Sequence, residues 1–134
     1  MTVRVERTFE LDASPEAVWA FISDPARRAE VISVVDSFDS DGDVTTWHVR
    51  LPVVGRTIPV ETRDVDREDG EYVKFVGKSK VLRVTGEHRL EPREGGGTIL
   101  HNEFVVEGRL PGVERFFKRN LDEELDNLKE ELDS

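Results

Sequence analysis

The sequence predicts an α+β fold in which an antiparallel sheet packs against a long C-terminal helix. Three observations carry this. Residues 33–109 read as successive strand-like segments separated by short turns, two short helix signals follow the first strand, and an unbroken amphipathic pattern fills the end of the chain. Short connections favour antiparallel neighbours.

The first strand spans Thr2 to Leu11, where Val3, Val5, Phe9 and Leu11 share one face and Arg4, Glu6, Thr8 and Glu10 take the other. Ser14 then caps a short helix with Pro15 at its first position, where no N–H is needed. Ala17, Val18, Phe21 and Ile22 recur at helical spacing. Asp24-Pro25 repeats the start signal for a second short helix running to about Val31. A hairpin turn is expected at Asp39 to Asp43, around Gly42. Thr45 to Leu51 alternates, and Pro52 to Gly55 interrupts it. Thr57 to Val65 follows, then a turn at Asp69-Gly70, then strands at Tyr72 to Gly77, Lys80 to Leu90 and Thr98 to Val106. The final helix is expected to start near Pro111. Its stripe of Val113, Phe116, Phe117, Leu121, Leu125, Leu128 and Leu132 steps by three and four, with no glycine after Gly112. Such a stripe must be buried, and the sheet is the one large apolar surface available to it.

A chain of 134 residues suits one domain, taken as 1–134, with enough core to fold without disulfides or metals. It has no cysteine, which excludes disulfides, thiolate nucleophiles and cysteine-ligated zinc. The opening residues lack a signal-peptide core, and no stretch approaches the ~20 apolar residues of a membrane span. The expected location is the cytoplasm. With 29 acidic and 19 basic residues the formal charge is −10, which disfavours nucleic acid and membrane-surface roles. Only five of the basic residues are lysine. Many carboxylates with few lysines resemble the surface style of proteins from salt-loving archaea, against the alternative of an ordinary acidic bacterial protein.

The run from Val5 to Ile32 carries a resemblance. A strand leads into Asp12-Ala13-Ser14-Pro15-Glu16-Ala17-Val18-Trp19, with Asp24-Pro25 shortly after. Trp47, the segment Leu51-Pro52-Val53-Val54-Gly55 and the long last helix follow in order. This resembles the START-like, or Bet v 1-like, superfamily (SRPBCC), which includes polyketide cyclase/dehydrase and lipid-transport proteins. The resemblance spans essentially the whole chain. It implies a helix-grip fold, with a curved seven-stranded antiparallel sheet around the last helix and two short helices closing one end. It also implies a cavity between sheet and helix that takes a lipid, polyketide or aromatic metabolite. A minority of members catalyse cyclisation or dehydration, and some bind partner proteins. No universal catalytic motif transfers, so the site is argued from the residues.

Strand parity marks polar residues on otherwise apolar faces. Arg7 falls between Val5 and Phe9, Thr62 follows Ile58 and Val60, His88 falls between Val84 and Leu90, and Asn102 between Leu100 and Phe104. These four are the candidate polar groups of an apolar cavity, against the alternative that they pair with one another or reach solvent. Trp47, Phe75, Val84, Phe104, Phe117 and Leu121 are the candidate lining residues, with Val49, Ile58, Val60, Leu82, Leu100 and Leu125 also facing inward.

Other patterns are set aside. His101 and Glu103 share a strand face, but the zinc-deaminase signature needs cysteines this chain lacks, and the pair is expected to face solvent, as is His48. Gly95-Gly96-Gly97 has no following helix or lysine and reads as a turn. No Gly-x-Ser-x-Gly elbow occurs. No metal or cofactor is expected.

Three functions follow. The first is non-enzymatic binding or transport of a small hydrophobic ligand. The second is a cyclase or dehydratase with His88 as base and Arg7 or Asn102 as the donor holding an enolate oxygen. The third is a module whose acidic surface meets a basic protein partner.

Overall fold

The structure, a computed structural model, describes residues 2–32, 34–51, 55–108 and 112–133, without the side chains of Val113, Glu114 and Leu121. The strand β1 (Thr2–Leu11) is followed by α1 (Pro15–Ile22) and α2 (Pro25–Glu30). Six strands come next: β2 (Val35–Asp41), β3 (Val44–Leu51), β4 (Arg56–Glu68), β5 (Tyr72–Lys78), β6 (Leu82–Pro92) and β7 (Thr98–Gly108). The helix α3 (Val113–Asp133) closes the chain.

All seven strands form one antiparallel sheet in the order β1-β7-β6-β5-β4-β3-β2. Successive strands from β2 to β7 are neighbours, as short turns require, and β1 returns to pair with β7. This curved sheet, with α3 on its inner face and two short helices after the first strand, is the helix-grip fold.

Local chemistry explains the elements. Ser14 Oγ accepts from the Ala17 N–H at 3.2 Å and Asp24 Oδ1 from the Ala26 N–H at 3.0 Å, so both short helices start on a capped turn with proline in the first turn. The hairpin between β2 and β3 is tighter than the sequence suggests. Strand pairing continues to Asp41↔Val44, and the turn is Gly42-Asp43, with Gly42 at φ 61°. Glycine adopts that left-handed conformation without steric cost, so the strands run to their limit. The expected interruption at residues 52–54 and the helix start at Pro111 lie outside the described residues.

The helix α3 packs chiefly against β1 and β7 and does not cover the whole sheet. Two apolar clusters result. One gathers Phe9, Leu11, Phe21 and Ile22 with Leu125, Leu128 and Leu132 of α3, sealing one end of the fold with α1. The other gathers Trp47, Val49, Val60, Phe75, Leu82 and Val84 on β3–β6. Phe104 borders both. Among the described residues no helix is long and apolar enough to cross a membrane.

Candidate functional site

Between the middle of the sheet and α3 a cavity of about 60 Å3 remains. Its sheet wall is Trp47, Val49, Val60, Phe75, Val84 and Phe104. Ile32 and Val34 close it from the segment after α2, and Phe117, Asn120, Glu124 and Leu125 from α3. The walls are almost wholly apolar. A larger hollow of about 330 Å3 lies on the opposite face of the sheet, lined by polar groups that include Glu6, Tyr72, Glu87, His101 and Glu103. There Glu6, Glu103 and Glu87 form one cross-strand row. Hydrogen bonding to Glu6, with burial, raises the Glu103 pKa. The Tyr72 hydroxyl donates to Glu87, and burial together with that bond pushes Tyr72 up to about 12. Among the described residues no three His, Cys, Asp or Glu side chains are grouped to hold a metal. The apolar inner cavity is therefore the candidate site.

Phe75 stands at its centre. Its ring is 5.6 Å from Trp47, 6.1 Å from Phe104 and 6.3 Å from His88, centroid to centroid. The Arg28 guanidinium carbon lies 5.0 Å from the Phe75 centroid. Arg28 reaches the cavity from α2. Its Nη2 donates to Asp64 Oδ1 at 2.5 Å and its Nη1 to the Ile22 carbonyl at 2.8 Å. Asp64 also accepts from Arg67 Nη2 at 2.9 Å. The Arg28 side chain is 6 % exposed, so its charge survives burial because a carboxylate and a carbonyl meet it. Burial lowers its pKa from the ordinary arginine value, with Asp64 opposing that shift.

His88 is buried on β6, and its Nδ1 lies 2.7 Å from Asn102 Oδ1. The amide orientation is set by its other contacts. Asn102 Nδ2 donates to the Arg7 carbonyl at 3.2 Å and lies 3.5 Å from that of Leu100. The oxygen therefore faces His88, so Nδ1 carries the proton and Nε2 keeps a lone pair. Burial pushes the His88 pKa down to about 4, and the imidazole is neutral at pH 7.

The residues singled out from sequence divide into three groups. Trp47, Phe75, Val84, His88, Phe104 and Phe117 all line the cavity. Three polar candidates sit on the inner face but outside the cavity wall, and the reason differs for each. Arg7 lies on edge strand β1 under α3, where it pairs with Asp122 at 3.3 Å and Asp126 at 2.9 Å. Thr62 is buried and donates to the Thr45 carbonyl at 2.6 Å. Asn102 stands behind His88 and orients it. The Leu121 side chain lies outside the described residues. His101 and His48 face outward, His101 bonded to Glu91 and Thr8 and His48 to Asp39. Arg28 and Asp64 were not anticipated from the sequence. Asp64 continues the parity of Ile58, Val60 and Thr62, which is the signal that reveals it.

Similarity to known proteins agrees with this geometry. Residues 2–133 match the family described as polyketide cyclase / dehydrase and lipid transport. A START superfamily protein from Mycobacterium smegmatis superposes with a TM-score of 0.73 at 17% identity, covering 97% of this chain and 94% of that one. The Zhui aromatase/cyclase from Streptomyces sp. R1128 gives a TM-score of 0.74 at 17% identity, covering 98% and 94%. A protein from Deinococcus radiodurans gives 0.74 at 17% identity, covering 96% and 95%. At these identities the solved structures show the fold alone. Among curated proteins no sequence matches. The family match over nearly the whole length shows that this chain belongs to the polyketide cyclase / dehydrase and lipid transport family.

Proposed function

We propose that this chain binds and carries a small hydrophobic molecule, a lipid, polyketide or aromatic metabolite, in the cavity between the sheet and α3, without transforming it. The observation that carries this reading is the state of His88. It is the histidine in the cavity wall, and burial makes it a weak base of pKa about 4. A general base works best with a pKa near the working pH, so His88 is poorly matched to removing a carbon-bound proton. An apolar wall supplies affinity at roughly 25 cal/mol per Å2 buried, less the cost of association. The cavity is smaller than the roughly 300–1,000 Å3 typical of drug-sized ligands. The occupant is therefore compact, or it displaces α3, which leans mainly on β1 and β7.

Native mass spectrometry of gently purified protein, set against the denatured mass, tests this. A reproducible additional mass the size of a metabolite is expected. Protein that is bare as purified and takes up no member of a panel of small apolar molecules would overturn the reading. A cyclase or dehydratase is the second reading, favoured by the unprotonated Nε2 of a cavity-lining histidine. Turnover of an identified substrate that survives His88→Ala would remove it.

A further inference from the structure

The basic residues of this acidic chain gather at one end of the fold. There β5 turns into β6 and β7 leads to α3, with Leu82 in register with Gly108. Lys78, Lys80 and Arg83 stand on the β5–β6 turn and its flanks, and Arg115, Lys118 and Arg119 on the first two turns of α3; all six are exposed. The three on α3 are three and four residues apart and share one helix face. Among the described residues none of the six forms an ion pair, although Glu107 is in register with Arg83. Half-buried Val81, Phe116 and Phe117 alternate with them along the chain, and the cavity reaches this end at Leu82, Val106 and Phe117. The opposite end is acidic. Glu68, Asp69 and Glu71 surround the β4–β5 turn, and Glu130, Glu131 and Asp133 end α3. Apart from Glu114, α3 therefore runs from cations to anions, the reverse of what its macrodipole favours, so helix stability does not account for the order.

We propose that the basic end docks on an anionic lipid bilayer, with the six cations against the headgroups and Phe116 and Phe117 at the boundary with the acyl chains. The proposal rests on the carrier reading for its purpose alone, since docking sets Phe117 of the cavity wall against a source of apolar cargo. The net charge of −10 opposes a membrane role only when it is averaged over the whole surface. Strand β6 has 11 residues and spans roughly 35 Å. That is several times the ~8 Å screening length at physiological ionic strength, so the acidic end is screened from a surface that the basic end touches. A bilayer fits better than an acidic protein. Cations on two separate elements, mixed with aromatic side chains, meet headgroups without needing a shaped counterpart.

Flotation of the full chain tests this, with vesicles of phosphatidylglycerol and phosphatidylcholine in equal parts set against phosphatidylcholine alone. Binding to the anionic vesicles alone is expected, weakening steeply as NaCl is added. Lys118→Gln and Arg119→Gln should each weaken it about fivefold. Lys129→Gln makes the same change in net charge near the acidic end of α3 and should alter binding by less than about twofold. Equal binding to both vesicles, or an equal loss in Lys118→Gln and Lys129→Gln, would overturn the proposal. No flotation, with retention on a polyglutamate resin that Lys118→Gln weakens, would overturn it in favour of an acidic protein partner. Native mass spectrometry and ligand uptake are read on the same preparation. A bound metabolite without flotation would overturn docking and leave the carrier reading standing, whereas flotation of protein that holds and takes up nothing would do the reverse.

Discussion

Gly86 lies directly across from Phe75 in the β5–β6 pair, and a Cβ on Gly86 would overlap the Cε1 and Cζ atoms of the Phe75 ring. The missing side chain is the space the ring occupies. Gly86 is also in register with Phe104 on β7, so it lies between the two strands that carry the phenylalanines bordering His88. Gly86→Ala should therefore cost about 1–3 kcal/mol by forcing the ring aside. In a Phe75→Leu background the same substitution should cost clearly less, because the colliding ring atoms are gone. Urea unfolding of the four proteins in that cycle measures the coupling, and strict additivity would show that the two positions do not constrain each other.

Arg7 fastens α3 to the edge strand through Asp122 and Asp126, but all three side chains are at least a third exposed. Solvent and salt screen such pairs. Arg7→Gln should cost less than about 1 kcal/mol at low salt, and the difference from wild type should shrink in 1 M NaCl. A large cost that salt leaves unchanged would mean that Arg7 contributes through packing rather than charge.

Much of this fold could be read from alternation alone. Trp47, Val49 and Leu51 are buried while His48 between them faces out, as period two demands. His88 and Asn102 were found because they break an apolar face. Parity names a face, however, and not a region of it. Arg7 and Thr62 share the inner face with the cavity walls, yet one is covered by α3 and the other is taken by the Thr45 carbonyl. Arg28 was hidden for a different reason. Helix α2 has six residues, too few to show a stripe, and it carries adjacent Arg27 and Arg28, of which only Arg28 is buried. A bulge between Asp64 and Asp66 then puts Arg67 in register with Val73, on the same face as Asp64 and Phe75. No local pattern announces that bulge, so the Arg28–Asp64–Arg67 chain appears only when the strands are assembled.

Burial of neutral His88 makes stability depend on pH. Its folded pKa of about 4 is below the ordinary value of 6.5, so between those limits the unfolded chain binds more protons than the folded one. Stability therefore rises with pH across that window. The contribution is fully present above about pH 6.5 and is lost as pH falls through about 4, with a ceiling on the order of 3 kcal/mol. Carboxylates add their own acid dependence, so the measurement is a difference. Between pH 6.5 and 4.5, the unfolding free energy of His88→Leu should fall less steeply than that of wild type. Parallel slopes would mean that His88 is protonated in the fold.

The Arg28–Asp64 pair should be asymmetric when broken. Asp64 has two partners, Arg28 Nη2 at 2.5 Å and Arg67 Nη2 at 2.9 Å, and is 19 % exposed. Arg28 is 6 % exposed, and without Asp64 its guanidinium keeps the Ile22 carbonyl as an acceptor at 2.8 Å. Removing the acid strands a buried cation, whereas removing the arginine leaves a carboxylate that another arginine and water still meet. Asp64→Ala should accordingly cost about 3–5 kcal/mol. Arg28→Met, which keeps most of the side-chain volume against Phe75, should cost at least about 1 kcal/mol less. Urea unfolding at neutral pH gives both values. Equal costs would mean that Arg67 does not hold Asp64 once Arg28 is gone, and that the three groups stand or fall as a unit.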